Sequence, residues 1–370
     1  MTEAAPWARL PDLASRRVGG GVVWANDELF AERENLIRAA EPVFQPSTFG
    51  HKGQIYDGWE TRRRREDGVD QAIVRLGLPG VVRGVVVDTA FFTGNYPPFC
   101  SVEACAAEGY PAPEELSDWV ELVPRSPLAG DSKNPFAVTD SRRFTHVRLT
   151  IHPDGGVARL RVHGEPVADP RLLDLASLDL AALEHGAAIS GCSNMFYSSP
   201  ANLISPGFAA VMGEGWETAR RRDDGNDWVS VRLAGAGVVR LAELDTSHFK
   251  GNAPGWASLS GLGADGWAPL LDRVRLQPDT RHRFPLTGAG QSQREVSEVR
   301  LDVYPDGGMA RLRLHGALTA AGRAEFVLRW FNLLPEDQAR TVLSAAGVSE
   351  ADALAAVRAR PVAALPAFGV

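Results

Sequence analysis

Cysteine is scarce in this chain of 370 residues, which contains three, Cys100, Cys105 and Cys192. An odd number of cysteines without a CxxC spacing supports neither a disulfide framework nor a cysteine-ligated zinc site. Free thiols are typical of a reducing compartment, so we expect the protein to be cytoplasmic.

Long apolar segments are also missing. The N-terminal sequence MTEAAPWARLPDL carries acidic residues and proline where a signal peptide has a basic stretch and an apolar core. The run VVRGVVVDTAFF is interrupted by Arg83 and Asp88 and is too short to span a bilayer. Positive charge is not in excess either, since 39 Lys and Arg oppose 46 Asp and Glu for a net charge of −7. We therefore predict neither a membrane nor a nucleic-acid partner.

Several catalytic and ligand-binding motifs are absent. The sequence has no HxH, HExxH or GxSxG motif, and the GGG at 19–21 is not followed by the lysine of a phosphate-binding loop. We therefore predict no cofactor and no metal site. The alternative is a divalent cation such as Mn²⁺, although no ligand spacing supports one.

An internal repeat organises the chain. GWETRRRREDGVD at 58–70 returns as GWETARRRDDGND at 215–227, and VVDTAFFTGNYPP from Val86 returns as ELDTSHFKGNAPG from Glu243. Two further blocks, RLTIHPDGGVARLRVHG and ENLI, recur in the same order. Such a repeat predicts two paralogous domains. We place them at residues 15–185 and 186–330, followed by a tail at 331–370.

Each half has the pattern of short β-strands. Apolar and polar residues alternate on both sides of a Pro-Asp-Gly-Gly sequence, at 147–151 and 158–162, and the second half repeats this alternation. The pattern predicts a hairpin with one core face. Helical periodicity is confined to the tail, where Ser349 and Asp352 form a capping pair. Residues 172–185 fit either a short helix or an ordered linker, so the chain is predicted to be all-β with a helical C-terminal tail.

The densest cluster of charged side chains follows Trp59, where Glu60 and Thr61 precede four arginines at 62–65. A guanidinium group binds a carboxylate through two parallel hydrogen bonds, and an adjacent Glu can transfer a proton. The alternative interpretation is a solvated charged loop. The return of the same residue types at 216–222 favours a functional role, because most of the surface differs between the halves.

A second candidate region ends the apolar run of each half, at Asp88-Thr89 and Asp245-Thr246. Loops at strand ends are where β-sandwiches place ligand sites. The structural alternative is that each Asp bonds its own backbone and closes a turn.

Three long strings stand out: ANDELFAERENLI at 25–37, FGHKGQIYDGWETRRRR at 49–65 and VVVDTAFFTGNYPP at 85–98. They resemble the allantoicase family, and the similarity runs from about Val18 to about Trp330. The resemblance implies a tandem repeat of two jelly-roll β-sandwich domains of the galactose-binding-like type. It also implies hydrolysis of allantoate to ureidoglycolate and urea in allantoin degradation. We further expect a homo-oligomer.

The chemistry of allantoate can be compared with these residues. One carbon carries a carboxylate and two ureido groups, so a site needs a cationic clamp, amide-like hydrogen bonds and a proton donor for the departing urea. The remaining nitrogen can assist this departure without a metal hydroxide. The alternative function is a non-catalytic tandem jelly-roll module that binds carbohydrate or protein.

We place the main site in the first copy, where the motifs are fullest. The candidate catalytic residues are Glu60, Asp88, Asp27 and Lys52. The candidate substrate-binding residues are Asn26, Glu34, Asn35, Trp59, Thr61, Arg63, Arg64, Thr89 and Asn95, with Glu217, Arg221, Asp245, His248 and Asn252 from the second copy. In the second copy Asn194 is matched to Asn26, Met195 stands opposite Asp27, and no lysine matches Lys52. Whether that copy holds a second site or only supports the first is left open.

Overall fold

The computed structural model of the chain describes residues 5–50, 53–173, 177–286 and 294–365. The chain forms two compact units. The first consists of residues up to Val167 together with Asn332–Pro361, and Ala168–Phe331 belong to the second. Each unit is a β-sandwich, and α-helices follow the second, which confirms the predicted fold class.

The first unit contains strands β1 to β11. Their bounds are Gly21–Ala25 (β1), Phe49–Gly50 (β2), Gly53–Gln54 (β3), Trp59–Glu60 (β4), Asp70–Asp88 (β5), Phe99–Cys105 (β6), Val120–Pro127 (β7), Lys133–Ala137 (β8), Arg143–His152 (β9), Gly156–Val157 (β10) and Arg159–Pro166 (β11). Short 3-10 turns lie at Pro6–Arg9, Arg16–Val18, Arg33–Ile37 and Pro113–Glu115.

Strand β5 connects the two layers of this unit. Its early part, 70–75, pairs with β1 and β9, whereas its later part, 80–88, pairs with β11 and β8. The order β1-β5-β9-β6-β7 builds one layer, and β5 then carries the chain into the other. Its valines suit this course, because β-branched side chains pack well in a buried strand, and Val85 and Val87 are fully buried.

The second unit repeats this arrangement with β12 to β21, and β15 takes the place of β5. The bounds are Leu178–Asp179 (β12), Ala188–Cys192 (β13), Trp216–Glu217 (β14), Asp227–Asp245 (β15), Trp256–Gly263 (β16), Gly266–Arg275 (β17), Arg281–Pro285 (β18), Glu295–Tyr304 (β19), Gly308–Met309 (β20) and Arg311–Leu318 (β21). Its 3-10 turns lie at Pro170–Leu173, Leu183–His185, Pro200–Ile204 and Met212–Glu214.

The strands beside Pro-Asp-Gly-Gly are confirmed, but the predicted hairpin is wrong. Strand β9 pairs with β5 and β6, while β11 pairs with the later part of β5. Between them, β10 pairs with β4, and β20 pairs with β14 in the second unit. The turn therefore joins the two layers and packs against the strand that carries Glu60. Local alternation predicts strands, whereas their partners depend on distant parts of the chain.

Three α-helices follow β21, at Ala320–Leu333 (α1), Glu336–Ala345 (α2) and Glu350–Arg358 (α3). Helix α1 begins inside the region that the sequence assigns to the second β-domain. The predicted cap of α3 is confirmed, because Ser349 Oγ accepts a hydrogen bond from Asp352 N at 3.2 Å. None of the described helices is long and apolar enough to cross a membrane.

Candidate active site

Strand β4 directs its two side chains to opposite sides, as successive strand residues do. Trp59 is fully buried in the core, and its Nε1 donates to the backbone oxygen of Asp27 at 2.7 Å. Glu60 exchanges backbone hydrogen bonds with Ala31 at 3.2 Å on one side, and β4 pairs with β10 on the other. This support from both sides positions the Glu60 carboxyl in the wall of a cleft.

The cleft has a volume of about 500 Å³. Segments far apart in the sequence form it: the loop after β1, the arginine run that follows β4, the loop after β5 and the Pro-Asp-Gly-Gly turn. Its lining residues are Phe30, Glu60, Thr61, Arg63, Arg65, Gly94, Asn95, Tyr96, Pro98, Pro153, Asp154 and Gly155. The predicted residues Glu60, Thr61, Arg63 and Asn95 are thus brought together.

Glu60 exposes 8% of its surface, and its carboxyl has few hydrogen-bond partners. Asn95 Nδ2 donates to Oε1 at 2.6 Å, whereas Oε2 is buried and has no hydrogen-bond partner among the described residues. Burial raises the pKa of Glu60 above its ordinary value of 4.5, and the bond from Asn95 opposes this shift. Glu60 therefore keeps its proton at a higher pH than an exposed Glu and is suited to general acid–base chemistry.

The four arginines alternate in their surroundings. Arg63 and Arg65 are exposed, line the cleft and form no ion pair within the described ranges. Arg62 and Arg64 are bound to carboxylates instead, as in the 2.7 Å pair between Arg64 Nη2 and Asp70 Oδ1. Two cationic groups are therefore available to an anionic ligand. Of the two predicted clamp residues, Arg63 is at the cleft and Arg64 supports the loop.

Asn26 and Asp27 secure the start of the arginine run. Asp27 Oδ1 accepts from Leu29 N at 3.0 Å and from Arg62 N at 2.9 Å, and the Arg62 guanidinium bonds Oδ2. Burial acts to raise the pKa of Asp27, but these hydrogen bonds and the Arg62 charge outweigh it, and the pKa is lowered. Asn26 Nδ2 donates to Asp70 Oδ1 at 3.1 Å. Asn26 and Asp27 thus hold the arginine run in place and do not line the cleft.

The predicted residues after β5 take up turn and packing contacts. Asp88 is buried, and its Oδ1 accepts from Ala90 N at 2.9 Å, which is the turn-closing arrangement of the structural alternative. Burial raises the pKa of Asp88. Thr89 Oγ1 donates to the backbone oxygen of Ala129 at 2.6 Å. Neither side chain lines the cleft.

Three further candidates also lie away from the cleft or outside the described residues. Asn35 Nδ2 donates to the backbone oxygen of Gly58 at 2.8 Å and holds the chain just before β4. Glu34 is exposed and pairs with Arg33 at 3.3 Å. Lys52 lies outside the described residues.

The Pro-Asp-Gly-Gly turn is fastened to the arginine run. Asp154 Oδ2 accepts from Arg64 N at 2.7 Å, and Thr61 Oγ1 accepts from Gly155 N at 3.2 Å. The sequence-based site omitted Asp154, Arg65, Tyr96 and Phe30. The first two could have been found from the repeat, because Pro-Asp-Gly-Gly and the last arginine of the run both recur in the second copy. Tyr96 and Phe30 do not recur in the second copy, so the repeat does not indicate them.

The second unit contains the matching pair, since Asn252 Nδ2 donates to Glu217 Oε1 at 2.6 Å. Arg221 resembles Arg64: its backbone N donates to Asp306 Oδ2 at 2.7 Å. Two other predicted residues make turn contacts. Asp245 Oδ1 accepts from Ser247 N at 2.8 Å, and His248 Nε2 lies 3.0 Å from the backbone oxygen of Ala209.

The structure corrects one alignment between the copies. Asn194, not Met195, takes the place of Asp27: its backbone oxygen accepts from Trp216 Nε1 at 2.8 Å, and its Oδ1 accepts from Ala219 N at 3.0 Å. The second copy therefore keeps this loop support with a neutral side chain.

Among the described residues, one group of carboxylates lies close enough to share a cation: oxygens of Glu28, Glu32 and Glu34 are within 4.8 Å of one another. Glu28 and Glu34 both contact Arg33. None of these three residues lines the cleft, so this group gives the Glu60 site no metal ligand.

Comparisons with known proteins identify the family of the repeat. The profile of the allantoicase repeat matches residues 11–167 and 178–319. The chain is 60% identical to a probable allantoicase of Nocardia farcinica over 84% of this chain and 95% of that protein. It is 50% identical to a probable allantoicase of Streptomyces coelicolor, covering 88% and 90% of the two chains. It resembles the crystal structure of the Saccharomyces cerevisiae allantoicase with a TM-score of 0.71 and 34% identity, covering 83% of this chain and 93% of that one.

Proposed function

The chain belongs to the allantoicase family, and from this membership we propose that the cleft around Glu60 is where it hydrolyses allantoate to ureidoglycolate and urea. The observation that carries the assignment is the buried Glu60 carboxyl beside two arginines that have no ion-pair partner within the described ranges. The cleft combines a proton donor with cationic groups, as the substrate requires.

Substrate binding follows from the charges at the cleft. Arg63 and Arg65 bind the carboxylate of allantoate through charge-assisted hydrogen bonds. The Nδ2 of Asn95 already donates a hydrogen bond to Glu60. The Oδ1 of Asn95 accepts a hydrogen bond from an N–H group of a ureido arm, and the Tyr96 hydroxyl donates one to a ureido C=O group.

The reaction uses Glu60 first as acid and then as base. The lone pair of one ureido nitrogen forms a C=N bond to the central carbon while the other C–N bond breaks. Glu60 protonates the departing nitrogen, and urea leaves. Water then adds to the same carbon and returns a proton to Glu60, which gives ureidoglycolate. One water is consumed, and the carboxyl returns to its starting state.

The test is urea release from allantoate by the wild type and by Arg63→Ala/Arg65→Ala. We expect hydrolysis by the wild type and a KM raised at least tenfold in the variant, because a charged hydrogen bond contributes about 1.5–3 kcal/mol. The double variant Arg340→Ala/Arg358→Ala on α2 and α3 removes the same charge and is the control. Unchanged kinetics in Arg63→Ala/Arg65→Ala would contradict the proposal that these arginines bind the substrate carboxylate. A wild type that releases no urea would favour the non-catalytic binding module.

We also propose that the protein is a cytoplasmic homo-oligomer. The three cysteines are free, which suits a reducing compartment. Phe196 and Phe208 expose 71% and 68% of their surface, which suits a subunit contact. Light scattering on the purified chain tests this, and a monomer at micromolar concentration would contradict it.

A further inference from the structure

The lining of the Glu60 cleft is repeated almost completely in the second unit. Nine of the twelve lining positions carry the same residue type at the equivalent place, including the glutamate, the asparagine and both arginines. The three that differ are wall residues: Tyr197 replaces Phe30, Ala253 replaces Tyr96 and Gly255 replaces Pro98. The chemistry-bearing groups are thus retained, and the changes lie in the walls.

The backbone that positions these groups is also the same. The turn-fastening bond is 2.7 Å from Arg64 N to Asp154 Oδ2 and 2.7 Å from Arg221 N to Asp306 Oδ2. The bond that holds the asparagine loop is 2.8 Å in both units, from Gly156 N to Asn95 O and from Gly308 N to Asn252 O. Tyr197 N donates to Glu217 O at 3.2 Å, as Phe30 N does to Glu60 O at 3.1 Å.

The Glu–Asn pair has one geometry in both units, with 2.6 Å between Asn252 Nδ2 and Glu217 Oε1 as between Asn95 Nδ2 and Glu60 Oε1. A solvated surface would not keep this pair together with two exposed arginines and a fastened turn. Arg220 and Arg222 follow Thr218 with the spacing that Arg63 and Arg65 have after Thr61.

We propose that the second repeat holds a second binding cleft, formed by Glu217, Asn252, Arg220 and Arg222, for ligands that carry a carboxylate and a ureido group. This inference rests on the function proposed for the first cleft. In the second cleft, Ala253 and Gly255 lack the rings that Tyr96 and Pro98 place at the first cleft.

The second cleft binds its ligand without contributing turnover. Glu217 is only half-buried, whereas Glu60 is buried, and Ala253 and Gly255 lack the rings of Tyr96 and Pro98. Water therefore reaches the Glu217 carboxyl, and the second cleft does not shield a proton transfer to the departing nitrogen. The acid–base role therefore stays with Glu60.

The test uses N-carbamoylglycine as the probe. This compound has a carboxylate and one ureido group but lacks the second nitrogen on its carbon, so it cannot expel urea by the route above. Isothermal titration measures how many probe molecules bind to the wild type, to Arg220→Ala/Arg222→Ala and to Arg63→Ala/Arg65→Ala. Arg340→Ala/Arg358→Ala is again the control for the loss of two positive charges. Circular dichroism checks that each variant is folded. Urea release from allantoate is measured for all of them.

We expect two probe molecules per wild-type chain and one in each cleft variant. The molecule lost in Arg63→Ala/Arg65→Ala is the one whose binding inhibits urea release from allantoate. Arg220→Ala/Arg222→Ala keeps its urea release within a few-fold of the wild type. One probe molecule per wild-type chain, or none, would overturn the second cleft even if allantoate hydrolysis still depends on Glu60. A loss of urea release in Arg220→Ala/Arg222→Ala equal to that in the first-cleft variant would overturn the division of roles.

The failure of the proposed function has a separate signature. If urea release does not depend on Glu60 while two probe molecules bind, the second cleft stands as a binding site and the acid–base assignment in the first cleft fails.

Discussion

The substitution Glu60→Gln separates catalysis from structure at the centre of the cleft. Gln keeps the size of the side chain and an oxygen that can accept the bond from Asn95 Nδ2, which is 2.6 Å long in the wild type. The buried Oε2 already has no hydrogen-bond partner within the described ranges, so an amide NH₂ in its place adds little new cost. The variant loses mainly the ability to give and take a proton.

The expected loss in kcat is about 10²- to 10⁴-fold, the scale for a general acid–base residue. At 1.36 kcal/mol per factor of ten, this corresponds to about 3–5 kcal/mol of transition-state stabilisation. Below pH 4.5, where Glu60 keeps its proton in the folded protein, the free energy of unfolding should change by no more than about 1 kcal/mol, because the hydrogen bond to Asn95 is kept.

The assay combines steady-state urea release with thermal unfolding, and Glu217→Gln is the matched control in the second copy. We expect Glu217→Gln to keep kcat within a few-fold of the wild type. If Glu60→Gln lowers Tm strongly and leaves kcat within a few-fold, Glu60 is structural and the reasoning is refuted. A larger loss of kcat in Glu217→Gln than in Glu60→Gln would move the active site to the second repeat.

Three other outcomes are expected. Arg64→Ala should lower the free energy of unfolding by about 1–3 kcal/mol in chemical denaturation while kcat stays within a few-fold, because buried Asp70 loses its cation. Equal stability would contradict the supporting role. Exhaustive chelation should leave most of the urea release, and loss that is restored by Mn²⁺ would show a metal requirement. Burial raises the folded-state pKa of Glu60 above 4.5, so ionisation destabilises the folded protein, and Glu60→Gln should gain stability relative to wild type as pH rises through that pKa. A pH-independent difference between the two unfolding curves would contradict this.

The arginine run shows how far a local pattern could be taken. Strand-like alternation directs every second side chain to the same side, so the run could have been divided into Arg63 and Arg65 against Arg62 and Arg64. Which side faces the ligand could not be predicted, because it depends on the distant carboxylates that bind the other two. Asp70 is such a partner, and its burial follows from the pairing of β5.

Glu60 illustrates the part that depends on other segments. The residue could be singled out from its neighbours and its return as Glu217. Its partner Asn95 was also a candidate, but the 2.6 Å contact requires the loop after β5 to fold back onto β4. The pKa shift arises from that burial and has no local cause in the sequence.

The duplication, the β-rich character of each copy and the family could all be inferred from the sequence, because these depend on recurring strings and on local alternation. Two features required the folded chain: the strands beside Pro-Asp-Gly-Gly lie in different layers, and this turn closes the cleft on Glu60. These features could not be predicted because a strand's hydrogen bonds and a carboxyl's desolvation depend on segments dozens of residues away in the sequence. A side chain's chemistry can be named from its type, but its protonation and its access to a ligand depend on what folds around it.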